Sequence, residues 1–142
     1  MRLLRHTGIY VSDIELMKDF YCKTFNLSIA VHGIEEGSYI ETVLAKKGIR
    51  IEVYKLSTQE GCLVELIKPL NLNQERFTEK KIYSLGTHHI AFTVKNIDEL
   101  FKKMEAQGVV FLSSPQISSD GKAKVCFCKD PEGNFIELVD EK

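Results

Sequence analysis

Two histidines and two glutamates occur at positions where they could share one metal ion. His6 and His89 each begin a strand-like segment, one in each half of the chain. Glu65 and Glu137 each lie inside an apolar run, Leu-Val-Glu-Leu-Ile and Phe-Ile-Glu-Leu-Val. A carboxylate in so apolar a strand is costly unless it is paired, hydrogen-bonded or bound to a cation. Two imidazoles and two carboxylates suit Ni, Co, Fe, Mn or Zn, and the ligand types do not select among these ions.

An internal repeat places these four residues at equivalent positions. The segment 6–15 aligns with the segment 89–98, and each half opens with an alternating strand that leads into a helix. Three further strands are predicted in each half, at 28–32, 50–56 and 62–68, and at 109–112, 124–128 and 134–139. The pattern therefore predicts an α+β protein made of two β-α-β-β-β modules, residues 1–68 and 86–142, joined by a partly helical linker, 69–85.

Capping residues predict where the helices begin and end. Ser12 and Asn96 precede the two helical patterns, each with a glutamate three residues later, as in a capping box. Gly108 follows the second helix, and Asn26 stands at the matching place in the first half, where it can adopt a left-handed conformation. These signals bound both helices.

Strand parity predicts which way the candidate ligands point. His6 shares a strand face with Gly8, and His89 shares one with Ala91, whereas the alternate residues are apolar. Since the apolar face must cover the helix, both histidines are expected on the opposite face, where a curved sheet would form a cavity. This arrangement favours one metal ion between the modules.

Other candidate residues point to structural functions. His88 should face away from His89 and lie at the rim, and His32, which lacks a repeat equivalent, is expected on the surface. Cys126 and Cys128 share a strand face and are interpreted as buried thiols. The four cysteines form no CxxC pair, and all four are interpreted as buried thiols in a reducing compartment.

Composition excludes several classes of protein. The chain has 142 residues, 44% of them hydrophobic and 27% charged, with a formal net charge of −1, as expected for one globular domain. No basic excess indicates nucleic-acid binding. No apolar run approaches the roughly 20 residues that cross a bilayer, and no secretory signal is indicated. A cytoplasmic location is expected.

Four segments resemble the vicinal oxygen chelate superfamily, the glyoxalase, bleomycin-resistance and extradiol-dioxygenase group. They are RHTGIYVSDIELMKDFY, LVELIKP, HHIAFTVKNIDELFKKMEAQGV and DPEGNFIELVD, and the resemblance covers nearly all of residues 1–142. It implies a single domain in which paired βαβββ modules form a cupped sheet around one divalent metal ion. The ligands that it implies are His6, Glu65, His89 and Glu137.

The first-module glutamate separates branches of this superfamily. Extradiol dioxygenases and fosfomycin-resistance thiol transferases use two histidines and one glutamate, whereas Glu65 resembles the extra carboxylate of glyoxalase I and methylmalonyl-CoA epimerase. The arginine with which glyoxalase I holds glutathione would align near Leu16, so that residue is absent here.

The resemblance implies a glyoxalase-type lyase or an epimerase that transfers a proton next to a carbonyl. Its substrate would be a thioester, a hemithioacetal or another compound with vicinal oxygens, chelated by the metal ion. Glu137 and Glu65 would act as base and acid, and a homodimer is expected. The alternatives are an Fe(II) dioxygenase that uses His6, His89 and Glu137, or a non-catalytic binding or resistance protein.

Overall fold

The computed structural model describes residues 3–74 and 81–142, which fold as two compact units that divide between residues 76 and 77. The elements of the first unit are β1 (Thr7–Tyr10), α1 (Ile14–Phe25), β2 (Ser28–Glu35), α2 (Ser38–Val43), β3 (Ile51–Ser57) and β4 (Leu63–Pro69). Those of the second unit are β5 (His89–Thr93), α3 (Ile97–Ala106), β6 (Gln116–Ile117), β7 (Ala123–Lys129) and β8 (Phe135–Glu141).

Each unit contains one four-stranded mixed sheet with the same connectivity. The strand orders are β1-β4-β3-β2 and β5-β8-β7-β6. The first strand of each unit pairs in parallel with the last, and the other neighbours are antiparallel. The α+β class predicted from the sequence is confirmed, and the predicted β-α-β-β-β order is found in the second unit, whereas the first unit has the additional helix α2 between β2 and β3.

One face of each sheet is covered by a helix. In the first unit, Met17 and Tyr21 of α1 are fully buried, as is Leu66 of β4. In the second unit, Met104 of α3 and Leu138 of β8 are buried in the same way. We call this side the helix face, and the side that carries Glu65 or Glu137 the glutamate face. Burying the apolar residues against the helix leaves the alternate residues on the glutamate face, as strand parity predicts.

The two units differ on the strand that follows the helix. In the first unit β2 has eight residues, and the helix α2 places Ile40 in a buried cluster with Ile51 and Val53. In the second unit β6 has two residues. The strand predicted at 109–112 is wrong, since Phe111 forms only an isolated bridge with Cys128.

The helices α1 and α3 are capped by two aspartates, Asp13 and Asp140, and not by the residues of the predicted capping boxes. Asp13, rather than Ser12, is the N-cap of α1, and its Oδ1 accepts a hydrogen bond from the Leu16 backbone N–H at 3.1 Å. Asn96 is the N-cap residue of α3 but makes no side-chain cap. Asp140 of β8 accepts from the Ile97 N–H at 3.0 Å instead. The predicted helix ends are confirmed by left-handed conformations at Asn26 and Gly108.

The linker predicted at 69–85 is described only in part. Pro69 belongs to β4, the described residues 70–74 and 81–85 contain turns and bends rather than helix, and residues 75–80 lie outside the described residues. Among the described helices, none has the length and apolar character required to cross a membrane.

The cap of α1 gives a test of the fold. We expect Asp13→Ala to lower the free energy of unfolding by about 1 kcal/mol, because one backbone N–H of the first turn loses its acceptor. Urea denaturation followed by circular dichroism measures the change. Asp13→Asn keeps the acceptor and should retain most of the stability. Equal losses in both variants would show that the cap is not the origin of the effect.

Candidate metal centre

In the first unit, one histidine and one glutamate are in direct contact. His6 lies in the segment that leads into β1, and Glu65 lies at the middle of β4. The parallel pairing of β1 with β4 places Gly8 opposite Glu65, which brings His6 within reach. The His6 Nε2 atom is 3.0 Å from Glu65 Oε2. We call this pair the first half-site.

In the second unit, the equivalent residues make the same contact. Parallel pairing of β5 with β8 places Ala91 opposite Glu137. The His89 Nε2 atom is 3.2 Å from Glu137 Oε2, and the Phe127 ring meets the His89 imidazole edge-on at 5.2 Å. This pair is the second half-site. Each predicted histidine is therefore paired with the glutamate predicted from its own module.

The geometry of each half-site fits two ligands of a divalent metal ion. If two ligand atoms each lie about 2.1 Å from an ion and the ligand–ion–ligand angle is about 90°, the two atoms are about 3.0 Å apart. The distances in both half-sites are close to this value. In addition, His6 Nδ1 is buried without a hydrogen-bond partner. The contact between this imidazole and Glu65 is made by the other ring nitrogen, Nε2. Imidazole nitrogen and carboxylate oxygen are donors that first-row transition metals accept.

A full ligand set requires more than one half-site. In residues 3–74 and 81–142, no three His, Cys, Asp or Glu side chains are grouped closely enough to hold a metal ion. Each half-site supplies two donors.

Lys55 is a charged residue of the first half-site that the sequence reasoning missed. It lies in β3 in register with Glu65, and its Nζ is 3.3 Å from Glu65 Oε1. In the second unit the corresponding register position opposite Glu137 is occupied by Phe127. In the sequence, this lysine stands out only as a charged residue between Tyr54 and Leu56 in a strand-like segment. Its position opposite Glu65 depends on the register between β3 and β4, which the loop joining these strands sets.

Among the described residues, the other two histidines form no ion pair with Glu65 or Glu137. His32 pairs with Tyr54 in register and stacks on its ring at 3.9 Å, while its Nε2 contacts Glu52 Oε1 at 2.9 Å. Tyr54 is on the helix face, where its hydroxyl donates to Glu15 of α1 at 2.8 Å. His88 is exposed. The surface location predicted for His32 is confirmed, with the addition of these neighbours.

The cysteines differ in burial. Cys126 and Cys128 are buried on the helix face of β7, and burial raises the pKa of these thiols to about 11 and about 12. Both thiols are therefore neutral at physiological pH and act in packing, as predicted. Cys62 is exposed and Cys22 is partly buried, so the interpretation of all four as buried thiols is wrong for these two.

The fold and the donor pairs define a protein of two β-α-β-β-β modules, each with a histidine and a glutamate in contact. The family model described as Glyoxalase/Bleomycin resistance protein/Dioxygenase superfamily matches residues 3–138. The chain belongs to this superfamily, which confirms the resemblance seen in the sequence.

Within the superfamily, the chain is similar to lactoylglutathione lyases. It is 32% identical over 152 residues to the lactoylglutathione lyase of Schizosaccharomyces pombe, which covers 97% of this chain but 47% of the yeast protein. The chain thus spans about half the length of that relative. It is 29% identical over 144 residues to the lactoylglutathione lyase of Escherichia coli O157:H7, which covers 100% of this chain and 94% of the bacterial protein.

Solved structures support the same fold. A glyoxalase family protein from Bacillus cereus superposes with a TM-score of 0.86 at 20% identity, covering 99% of this chain and 96% of that one. The trypanothione-dependent glyoxalase I of Leishmania major superposes with a TM-score of 0.69 at 21% identity, covering 99% and 88%. At these identities the likeness shows the fold.

Proposed function

We propose that this protein is a metal-dependent, glyoxalase-type lyase or isomerase that moves a proton between positions next to a carbonyl. The observation that carries the proposal is the pair of matched contacts, His6 with Glu65 and His89 with Glu137, at equivalent positions of two modules. The similarity to lactoylglutathione lyases supports the glyoxalase type.

The two half-sites together would hold one divalent ion. Its ligands would be His6, Glu65, His89 and Glu137, and Ni, Co, Zn, Mn and Fe all suit these donors. When bound, the ion supplies a Lewis acid for two neighbouring substrate oxygens and stabilises the negative charge that develops on them. The first-module carboxylate favours proton transfer over the dioxygenase alternative, which needs only three of these ligands.

The glutamates would carry the proton. Glu137 would remove the proton from the carbon next to the carbonyl, and Glu65 or its conjugate acid would return one. Lys55 contacts Glu65, whereas no lysine or arginine in the described part of the chain forms an ion pair with Glu137. Glu137 can therefore accept a proton without first breaking such a pair.

The proposed reaction balances without an external oxidant. With a 2-oxo hemithioacetal, the carbon that loses its proton is oxidised to the thioester level, and the adjacent ketone carbon that gains a proton is reduced to an alcohol. With an acyl thioester, the proton leaves and returns at the same carbon, which inverts its configuration. These two classes, both small molecules with vicinal oxygens, are the substrates that we propose, in a cytoplasmic setting.

Metal content tests the proposed centre. We expect the purified protein to take up close to one divalent ion per complete site, and we expect His89→Ala to lose most of it, because removing one of four ligands weakens the site sharply. Elemental analysis after incubation with Ni, Co, Mn, Fe and Zn measures the uptake. His32→Ala is the matched control and should bind metal like the wild type. Absence of metal from the wild-type protein would contradict the proposal.

Assembly is a separate prediction. We expect a homodimer, since each sheet ends in edge strands that proteins normally pair or cover. Light scattering should give twice the 16.2 kDa chain mass. A monomer at concentrations of about 10 µM or more would contradict this.

Mixing two variants locates the centre within such a dimer. His6→Ala and His89→Ala would each lack one ligand in every site. If each centre takes one half-site from each chain, a mixed dimer contains one intact centre and regains metal. If each centre is built within one chain, the mixture regains none.

Isotope exchange tests the chemistry. In D₂O, the wild-type protein should exchange the proton next to the carbonyl of an accepted 2-oxo hemithioacetal or acyl-CoA, observed by NMR. Glu137→Gln should keep the fold and lose turnover by about a hundredfold or more, because the base is gone. Glu141→Gln, an exposed change on the same strand, should remain active. Oxygen consumption without proton exchange would favour the dioxygenase alternative.

A further inference from the structure

In residues 3–74 and 81–142, the first half-site has a lysine ammonium group in contact with its glutamate, and the second half-site has none. Lys55 and Phe127 occupy the same register position in β3 and β7, each opposite the glutamate of its module. The Lys55 side chain is 26% exposed and its Nζ lies 3.3 Å from Glu65 Oε1. In place of an ammonium group, the second half-site presents an aromatic ring edge-on to His89.

Both oxygens of Glu65 therefore have partners. Oε1 contacts Lys55 and Oε2 contacts His6, and the Glu65 side chain is only 13% exposed. A metal ion bound to this carboxylate would share it with the Lys55 ammonium group. Like charges held by one carboxylate repel strongly where water is partly excluded. Metal binding must then either displace Lys55 or accept the repulsion.

We propose that Lys55 is a positioning residue that competes with the metal ion for Glu65, so that the first half-site binds the ion more weakly than the second. The inference rests on the proposed function, since it takes the two half-sites as the metal ligands. On this inference His89 and Glu137 contribute more to the affinity for the ion than His6 and Glu65 do. Lys55 thus sets how readily the centre exchanges its metal.

The test measures Co²⁺ affinity by titration calorimetry and the rate of Co²⁺ release to EDTA. Lys55→Met removes the charge and keeps an unbranched side chain one atom shorter, and we expect its dissociation constant for Co²⁺ to fall by roughly tenfold or more and the release of Co²⁺ to slow. Lys55→Arg keeps the charge and should behave like the wild type. Phe127→Lys places an ammonium group opposite Glu137, and should weaken binding by a similar factor.

The outcomes separate this inference from the proposed function. If the wild type binds Co²⁺ and Lys55→Met binds it no more tightly, the competition is disproved while the metal centre stands. If neither binds Co²⁺, both proposals fail. Thermal melting of each variant identifies any that does not fold. If Lys55→Met does not fold, Lys55→Arg and Phe127→Lys are each compared with the wild type. Competition by charge requires an unchanged Co²⁺ affinity in Lys55→Arg and a weaker one in Phe127→Lys, and any other result disproves it.

Discussion

The parallel pairing between the first and last strands of each unit is the constraint on which the candidate site depends. A parallel pair needs a crossover connection, and here that connection contains a helix that covers one face of the sheet. The same pairing sets Gly8 opposite Glu65 and Ala91 opposite Glu137. The histidine at the start of each first strand is therefore held beside the glutamate of the last one, on the face that the helix does not cover.

The partners of the two carboxylates determine how each half-site can act. Glu65 and Glu137 lie on strands that are otherwise apolar, so each needs a polar or charged partner. Both have a histidine, and Glu65 has Lys55 as well. Repetition of the module thus supplies two similar histidine–glutamate pairs, and among the described residues the ammonium group of Lys55 distinguishes the first pair from the second.

The repeat has diverged most at the outer edge strand of each sheet, β2 in the first unit and β6 in the second. β2 is long and followed by α2, which adds a second apolar cluster on the glutamate face of the first sheet. β6 is reduced to two residues at the edge of the second sheet. Both differences are at the edge opposite β1 and β5, so they leave the histidine–glutamate contacts intact.

Local patterns in the sequence determined most of the fold and the candidate ligands. Alternation and helical spacing depend only on neighbouring residues, so they predicted the repeated modules, the buried faces and the four candidate ligands, but not the direct contact of each histidine with the glutamate of its own module. Tertiary structure decided the features that depend on chain segments far apart. Asp140 caps α3 from another strand, and Lys55 reaches Glu65 only through the β3–β4 register. Strand register is set by loop geometry and side-chain packing together, and no short stretch of sequence contains both.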